Sequence, residues 1–423
     1  MQSGDLMISV SGIRGIVGLS LTPELLVRLG HAFGTYLRGS RIVVGRDTRA
    51  SGEMAKHAVL SGLMATGTSV LDLGICATPT LTTAIEDLHA DGGLMVTASH
   101  NPIEWNALKF FRRDGLYLNA EESSDLLNIY YSGQFSNVPW DKLTALERIE
   151  YADVRHVDRV LKLVDQEAIN RRHLKVALDC CNGAGCDISQ RLLQALGCHV
   201  ETIHCRPNGR FPHKPEPIGA NVGELCAHVR ATGCDVGFAV DPDADRVTVI
   251  DETGFYVGEE AALALATQQA LMRPGMAGRA VVLNLSTSRM TEDVARAAGC
   301  EVVRVAAGES NVAEKMKELN AVFGGEGNGG IIDPRAHVGR DALAVSARDI
   351  ADSIDLGQTR QLYNPWVREI DFQHHGHLPG SEHFKDAAGA GFHKLIGLKT
   401  EIVVRQVTGI SVSETARGRV LSV

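Results

Sequence analysis

Three stretches of this chain repeat one layout. "RIVVGRDTRASG" leads through a helical run to "ATGTSVLDLG", "LKVALDCCNGAG" leads to "SQRLLQALGCHVETIH", and "RAVVLNLSTSRM" leads to "TEDVARAAGCEVVRVA". Each reads as a short buried strand, a loop of small or polar residues, an amphipathic helix, a glycine stop and a second strand. That alternation builds parallel strands joined by helical crossovers. The stops are Gly67, Gly197 and Gly299, where a chain leaving a helix needs a left-handed residue. With 423 residues, too many for one hydrophobic core, the repeat predicts an α/β fold. Three similar mixed-sheet domains would surround a central cleft, with boundaries at 1–150, 151–254 and 255–345. Residues 346–423 remain as an atypical segment.

Downstream of each copy lies another apolar segment that ends in an unusual loop: "GGLMVTASHNP", "VGFAVDPDADRV" and "AVFGGEGNGGII". In open α/β sheets ligands bind beyond the carboxyl ends of strands, so three equivalent loops can share one cleft. "DPDADR" places Asp241, Asp243 and Asp245 at alternate positions, which an extended segment would turn to one face. Three clustered carboxylates repel one another and stay ionised when a cation sits among them. All-oxygen donors point to Mg²⁺, with Mn²⁺ or Ca²⁺ as alternatives. The glycine and distal glutamate of an EF-hand are missing from their offsets.

"GRDTRASG" sets Arg46 and Arg49 around Asp47. Arginines there suit phosphate, or they simply hold the loop together. "GIRG" offers Arg14 between glycines. "GEGNGG" carries Glu326 and Asn328 on a pliable backbone suited to sugar hydroxyls, and lacks the Lys-Ser/Thr of a P-loop. "VTASHNP" holds Ser99. Neighbours in an extended segment face opposite ways, so His100 is not its natural base. A serine without a base is a poor nucleophile but a workable phosphate carrier. Lys109 could then assist proton transfer or neutralise phosphate charge.

With "SGIRG", "GRDTRASG", "TASHNP", "NALKF", "FPHKPEP", "DPDADR" and "GEGNGG" in this order, the chain resembles the α-D-phosphohexomutases. These comprise the phosphomannomutase/phosphoglucomutase and phosphoglucosamine mutase enzymes. The resemblance covers roughly residues 1–345. It implies a phosphoserine at Ser99 and a Mg²⁺ held by Ser99, Asp241, Asp243 and Asp245. His100, Lys109, Arg14 and Arg246 would be charged or catalytic groups of the site. Glu326, Asn328, Gly327, Arg46 and Asn101 would contact substrate. Phosphate would pass from Ser99 to a sugar monophosphate, giving a hexose 1,6-bisphosphate that reorients and returns its other phosphate. The net reaction interconverts hexose 1-phosphate and hexose 6-phosphate (mannose/glucose or glucosamine). A monomer or weak dimer acting on small-molecule sugar phosphates is expected.

The family has a fourth domain with an R-x-S-G-T-E-P loop. After "GRDALA" that pattern is lost, and the tail carries five of the sixteen histidines. A diverged domain, a truncation or a reading-frame error would each produce this. Loss of the phosphate clamp would leave slow turnover with escape of the intermediate. Two rival functions follow. One is a haloacid-dehalogenase-like phosphatase that uses an aspartate of "DPDADR" as nucleophile. The other is a catalytically impaired sugar-phosphate-binding protein.

The net charge of −9 argues against a nucleic-acid binder that depends on phosphate neutralisation. No apolar run is long enough to span a bilayer, and "MQSGDLMISVSGIRG" lacks the features of a signal peptide, so a cytoplasmic protein is expected. Seven of the nine cysteines fall between Cys180 and Cys234 without a CxxC. Reduced thiols are the plain reading, and a metal site is the alternative.

Overall fold

The computed structural model describes residues 6–9, 12–355, 411–415 and 418–422. They fall into two units, 1–355 and 356–423. The first unit opens with β1 (Met7–Ser9), β2 (Gly12–Ile16), α1 (Pro23–Tyr36), β3 (Arg41–Arg46), α2 (Gly52–Ala65), β4 (Ser69–Ile75), α3 (Thr78–Asp87), β5 (Gly92–Val96), β6 (Trp105–Arg112), α4 (Ala120–Ser132) and β7 (Leu146–Arg148). The second α/β domain holds α5 (Ala152–Leu161), α6 (Gln166–Asn170), β8 (Lys175–Asp179), α7 (Gly185–Ala195), β9 (His199–Ile203), α8 (Gly223–Thr232), β10 (Val236–Val240) and β11 (Val247–Asp251). The third holds α9 (Glu259–Leu271), β12 (Ala280–Asn284), α10 (Arg289–Ala297), β13 (Glu301–Val305), α11 (Glu309–Leu319), β14 (Phe323–Glu326), β15 (Gly330–Ile332) and α12 (Ala342–Asp355).

Local chemistry accounts for the helix ends. Thr22 caps α1 through its side chain with Pro23 just inside, and Asn119 and Glu122 form a reciprocal capping box on α4. Gly67, Gly197 and Gly299 all have positive φ, at +74°, +79° and +76°. In the first sheet Ile42, Val44, Leu94 and Val96 face one core with α1 and α2, whereas Val43 and Met95 face another with α3. Helices therefore cover both faces, and the strands read as continuous apolar runs.

The three sheets share one topology. Their orders are β1-β2-β6-β5-β3-β4-β7, β11-β10-β8-β9 and β13-β12-β14-β15. In each, the first strand of the repeat lies between the second and the downstream strand, both parallel to it. The downstream strand then pairs antiparallel with its successor. The repeat accounts for the parallel strands, and the antiparallel partners make each sheet mixed, as expected of the three domains. The loops after β5, β10 and β14 thus occupy equivalent positions at strand carboxyl ends.

The sequence reading ends the third domain at 345 and expects loose packing beyond it. Instead, α12 runs on to Asp355, with Val345, Ala347, Arg348 and Ile350 buried. Arg348 is held by the Asp333 carboxylate at 2.8 Å, an ion pair that periodicity alone does not reveal. Beyond α12, only β16 (Ser411–Thr415) and β17 (Gly418–Ser422) of the expected atypical tail are described, as an antiparallel hairpin. The histidine-rich stretch and the missing phosphate loop lie outside the described residues. Among the described residues no helix is long and apolar enough to cross a membrane.

Candidate active site

Ser99 sits at the turn after β5 with φ +49°, a left-handed backbone that favours glycine. Its surroundings fix this conformation. The Ser99 N–H donates to Thr97 Oγ1 at 3.0 Å, and Thr97 donates to Asp47 at 2.7 Å. Arg49, wholly buried, bonds the carbonyls of Ser99, Asn101, Pro102 and Trp105 at 2.6–3.1 Å. Asp47 holds the same guanidinium at 3.1 Å. Five donors in a fixed fork match four carbonyls and a carboxylate, a task lysine could not perform. The turn also overturns the expectation that His100 points away. The segment is not extended there, and His100 Nδ1 comes within 3.3 Å of Ser99 Oγ. Burial first, and then the Arg246 charge, lower the His100 pKa to about 4.

Asp241, Asp243 and Asp245 converge, although not by extended alternation. "DPDADR" is a tight turn after β10, with Ala244 N–H on Asp241 O and Ala244 at φ +56°. One ligand oxygen from each carboxylate lies within 4.8 Å of the others. Ser99 Oγ donates to Asp241 Oδ2 at 2.7 Å across 142 residues of sequence. Asp243 Oδ2 accepts from Lys109 Nζ at 2.7 Å and from Thr78 Oγ1 at 2.8 Å. Asp245 Oδ2 accepts from Arg340 at 2.7 Å.

The other carboxylate oxygens of Asp243 and Asp245 are buried without a hydrogen-bond partner. A buried, unpaired carboxylate oxygen is costly. Burial, followed by repulsion from Asp243 and Asp245, raises the Asp241 pKa well above its usual range. A divalent cation would satisfy both the orphaned oxygens and the crowded charge, so the donor set fits one. Burial also opposes the Lys109 charge. Asp243, Tyr117 and Asp245 outweigh it and raise its pKa, so Lys109 is a fixed cation rather than a proton acceptor.

Opposite lies a different wall. Glu326 ends β14 and is buried instead of exposed on a glycine loop, as the sequence suggested. The strand carries it inward. Its Oε1 accepts from Asn284 at 2.7 Å and from Gly308 N–H at 2.9 Å, and its Oε2 from Arg340 at 3.3 Å. Arg340 also grips Glu309 at 2.8 Å. Between the walls is a cavity of about 360 Å³ lined by Arg14, Ser99, His100, Lys109, Arg246, Glu326, Asn328 and Arg340, among others. The Asn328 side chain also accepts from Gly330 N–H at 3.3 Å. Arg14 has no ion pair among the described residues. Arg246 Nε is buried without a hydrogen bond, 3.8 Å from Asp245.

Three of the expected substrate contacts do not line this cavity. Arg46 pairs with Glu53 at 2.7 Å and bonds Asp47 O, so it fastens the start of α2. Asn101 turns its amide back onto Ala98 O at 2.8 Å. Gly327 lies against the Glu260 carboxylate, where an added Cβ would displace that side chain. Sequence reasoning missed Arg340, Asn284, Gly308 and Glu309. The tripeptide Gly-Arg-Asp, shared by 45–47 and 339–341, was the available signal for Arg340. All nine cysteines are free, and those of Cys180, Cys186 and Cys205 lie within 4.8 Å of one another.

Comparison with known proteins agrees with this architecture. Models of alpha/beta/alpha domains I, II and III of phosphoglucomutase/phosphomannomutase match residues 6–137, 154–254 and 259–352. The phosphoglucomutase/phosphomannomutase of Thermococcus kodakarensis is 38% identical over 343 residues, 80% of this chain and 75% of the relative. A Methanopyrus kandleri protein named "Probable phosphoglucosamine mutase" is 38% identical over 349 residues, 82% of this chain and 76% of the relative. A phosphoglucomutase/phosphomannomutase family protein from Burkholderia thailandensis superposes with TM-score 0.76 at 28% identity, covering 85% of this chain and 80% of that one. Fold and relatives define a phosphohexomutase, an isomerase that carries out intramolecular phosphotransfer. The chain belongs to the phosphoglucomutase/phosphomannomutase family. The phosphatase reading is not favoured.

Proposed function

We propose that this enzyme interconverts hexose 1-phosphates and 6-phosphates by way of phosphate carried on Ser99, with a hexose 1,6-bisphosphate as intermediate and activator. The observation that carries the reading is Ser99 Oγ at 2.7 Å from Asp241, beside two buried carboxylate oxygens without partners. Asp241, Asp243, Asp245 and phosphorylated Ser99 would hold Mg²⁺. The ion, when bound, supplies positive charge for the phosphoryl group.

The chain's own residues do the rest. Lys109, locked as a cation, faces the same phosphoryl position. Arg14 and Arg246 offer charge along the cavity to a sugar phosphate. His100 Nδ1 stands 3.3 Å from Ser99 Oγ, close enough to relay the proton that passes between the sugar hydroxyl and Ser99. In the forward step the phosphorus–Oγ bond breaks, a phosphorus–oxygen bond to a sugar hydroxyl forms, and the hydroxyl proton leaves. Ser99 Oγ regains a proton, and the reverse step uses the other phosphate. Glu326 and Asn328 meet sugar hydroxyls on the far wall.

The names of relatives include both phosphomannomutase/phosphoglucomutase and phosphoglucosamine mutase. The test is a set of parallel coupled assays with the 1-phosphates of glucose, mannose and glucosamine, with Mg²⁺ and the matching bisphosphate present. At least one should turn over, and turnover should need both additions. Failure of all three would remove the reading.

A further inference from the structure

One buried polar cluster has no part in the cleft. His156 in α5 and His337 and Asp341 before α12 each bring one ligand atom within 4.8 Å of the other two. Their exposures are 0%, 3% and 1%. His156 Nε2 stands 3.0 Å from Asp341 Oδ2, and His337 Nε2 stands 3.4 Å from the same oxygen.

Threonines of α3 contact both rings, and one of them fixes what His337 carries. Thr82 Oγ1 donates to Pro79 O at 2.9 Å, so its contact with His337 Nδ1 at 3.3 Å is a bond donated by the ring. A neutral His337 then has a bare Nε2, and that atom is buried without a hydrogen-bond partner. Thr80 Oγ1 meets His156 Nδ1 at 2.9 Å, which anchors the second ring to the same helix. Asp341 Oδ1 is occupied by the Leu343 N–H of α12 at 2.9 Å, which leaves Oδ2 to the two rings. The bare His337 Nε2, His156 Nε2 and Asp341 Oδ2 thus aim at a single buried point, where a cation would give the partnerless nitrogen its ligand bond.

We propose that His156, His337 and Asp341 form a binding site for a zinc-class divalent cation, separate from the aspartate triad. Two imidazole nitrogens and one carboxylate suit zinc and its neighbours, whereas Mg²⁺ and Ca²⁺ prefer all-oxygen sets. Zinc bonds of about 2.0–2.2 Å at a tetrahedral angle put adjacent ligands roughly 3.3 Å apart, close to the separations from Asp341 Oδ2. The Nδ1–H bond from His337 to Thr82 is the kind of outer support that orients metal-binding histidines. The site joins α3, α5 and the start of α12. Asp341 directly follows Arg340, which pairs with Asp245, so the ion would brace the wall behind the cleft.

The test uses the full chain grown with zinc, purified without chelating resin and dialysed against excess Mg²⁺ to clear the aspartate triad. Elemental analysis should find one zinc per chain. Growth with cobalt instead should give the visible absorption of a low-coordinate Co²⁺ site. His337→Gln should lose the zinc and the cobalt absorption. Thr82→Val, which keeps all three ligands, should weaken cobalt binding at least about tenfold. If His337→Gln does not fold, Thr82→Val decides the matter alone. Asp243→Asn and Cys186→Ser should retain the zinc. A zinc-free, cobalt-silent protein would overturn the proposal, as would unchanged cobalt affinity in Thr82→Val. Zinc lost with Cys186→Ser but kept in His337→Gln would assign it to the thiols of Cys180, Cys186 and Cys205 instead.

Discussion

The two walls of the cleft are built from the same kinds of residue and left in opposite states. On the Glu326 wall the charges are paired. Glu326 is met by Asn284, Gly308 N–H and Arg340, and Glu309 takes Arg340 through both oxygens. On the aspartate wall two carboxylate oxygens have no partner, Asp241 is pushed towards its protonated form, and Ser99 holds a left-handed backbone. Deficits of this kind persist when surrounding structure enforces them, and they mark places where a ligand completes the site. The first wall is finished by folding and can only position. The second is finished by what binds.

The comparison can be broken at its sharpest point by Ser99→Ala. The loop is held by Arg49 through backbone carbonyls, not by the Ser99 hydroxyl. Turnover should therefore fall to the limit of detection while the melting curve stays near wild type. Near-wild-type rates with bisphosphate present would end the carrier role. Asp243→Asn comes next. It removes the nearer of two carboxylates facing the buried Lys109 ammonium, at 2.7 Å, and leaves Asp245 at 3.4 Å, so the cost should stay below the about 3–5 kcal/mol of a fully uncompensated buried charge. Cation affinity by calorimetry and denaturant stability should drop together.

Glu326→Gln sharpens the contrast. It should lower kcat/KM by the worth of a charged hydrogen bond, about 1–3 kcal/mol, and leave cation affinity unchanged. An unaltered kcat/KM on every hexose phosphate would make Glu326 purely structural.

The smallest effect concerns neither wall. His213, in "FPHKPEP", contacts Asp179 at 3.1 Å and Lys214 O at 2.8 Å. Burial disfavours its charge, but the hydrogen bonds to Asp179 and Cys181 outweigh this and raise its pKa from 6.5 to about 11. A raised folded pKa means that the contribution to stability is complete below pH 6.5 and disappears as pH climbs towards about 11. The stability gap between wild type and His213→Gln in denaturant titrations should shrink over that range. A gap that stays constant over that range would show a neutral ring.

The repeat made the fold legible because period and glycine stops are local signals. Strand order followed, since each copy solves the same burial problem. Ser99 and the three aspartates were legible as chemistry that lacked a partner. What the sequence could not convey was direction. Nothing in "TASHNP" marks the left-handed turn that swings His100 onto Ser99. The acid of "GEGNGG" looks exposed until β14 is seen to end on it. Arg46 and Arg49 look equivalent on paper, yet one meets Glu53 and the other holds four carbonyls, because that choice depends on loops 50 residues away. Arg340 was hidden for the same reason, its three carboxylate partners lying on separate segments.

The central claim is that the unfinished wall is completed by phosphate on Ser99. The direct measurement is mass spectrometry of the full chain after incubation with hexose 1,6-bisphosphate and Mg²⁺, with the modified peptide sequenced. A single phosphate on the peptide containing Ser99, lost on addition of excess hexose monophosphate, is the predicted result. Phosphate on Asp243 with Ser99 unmodified would contradict the account.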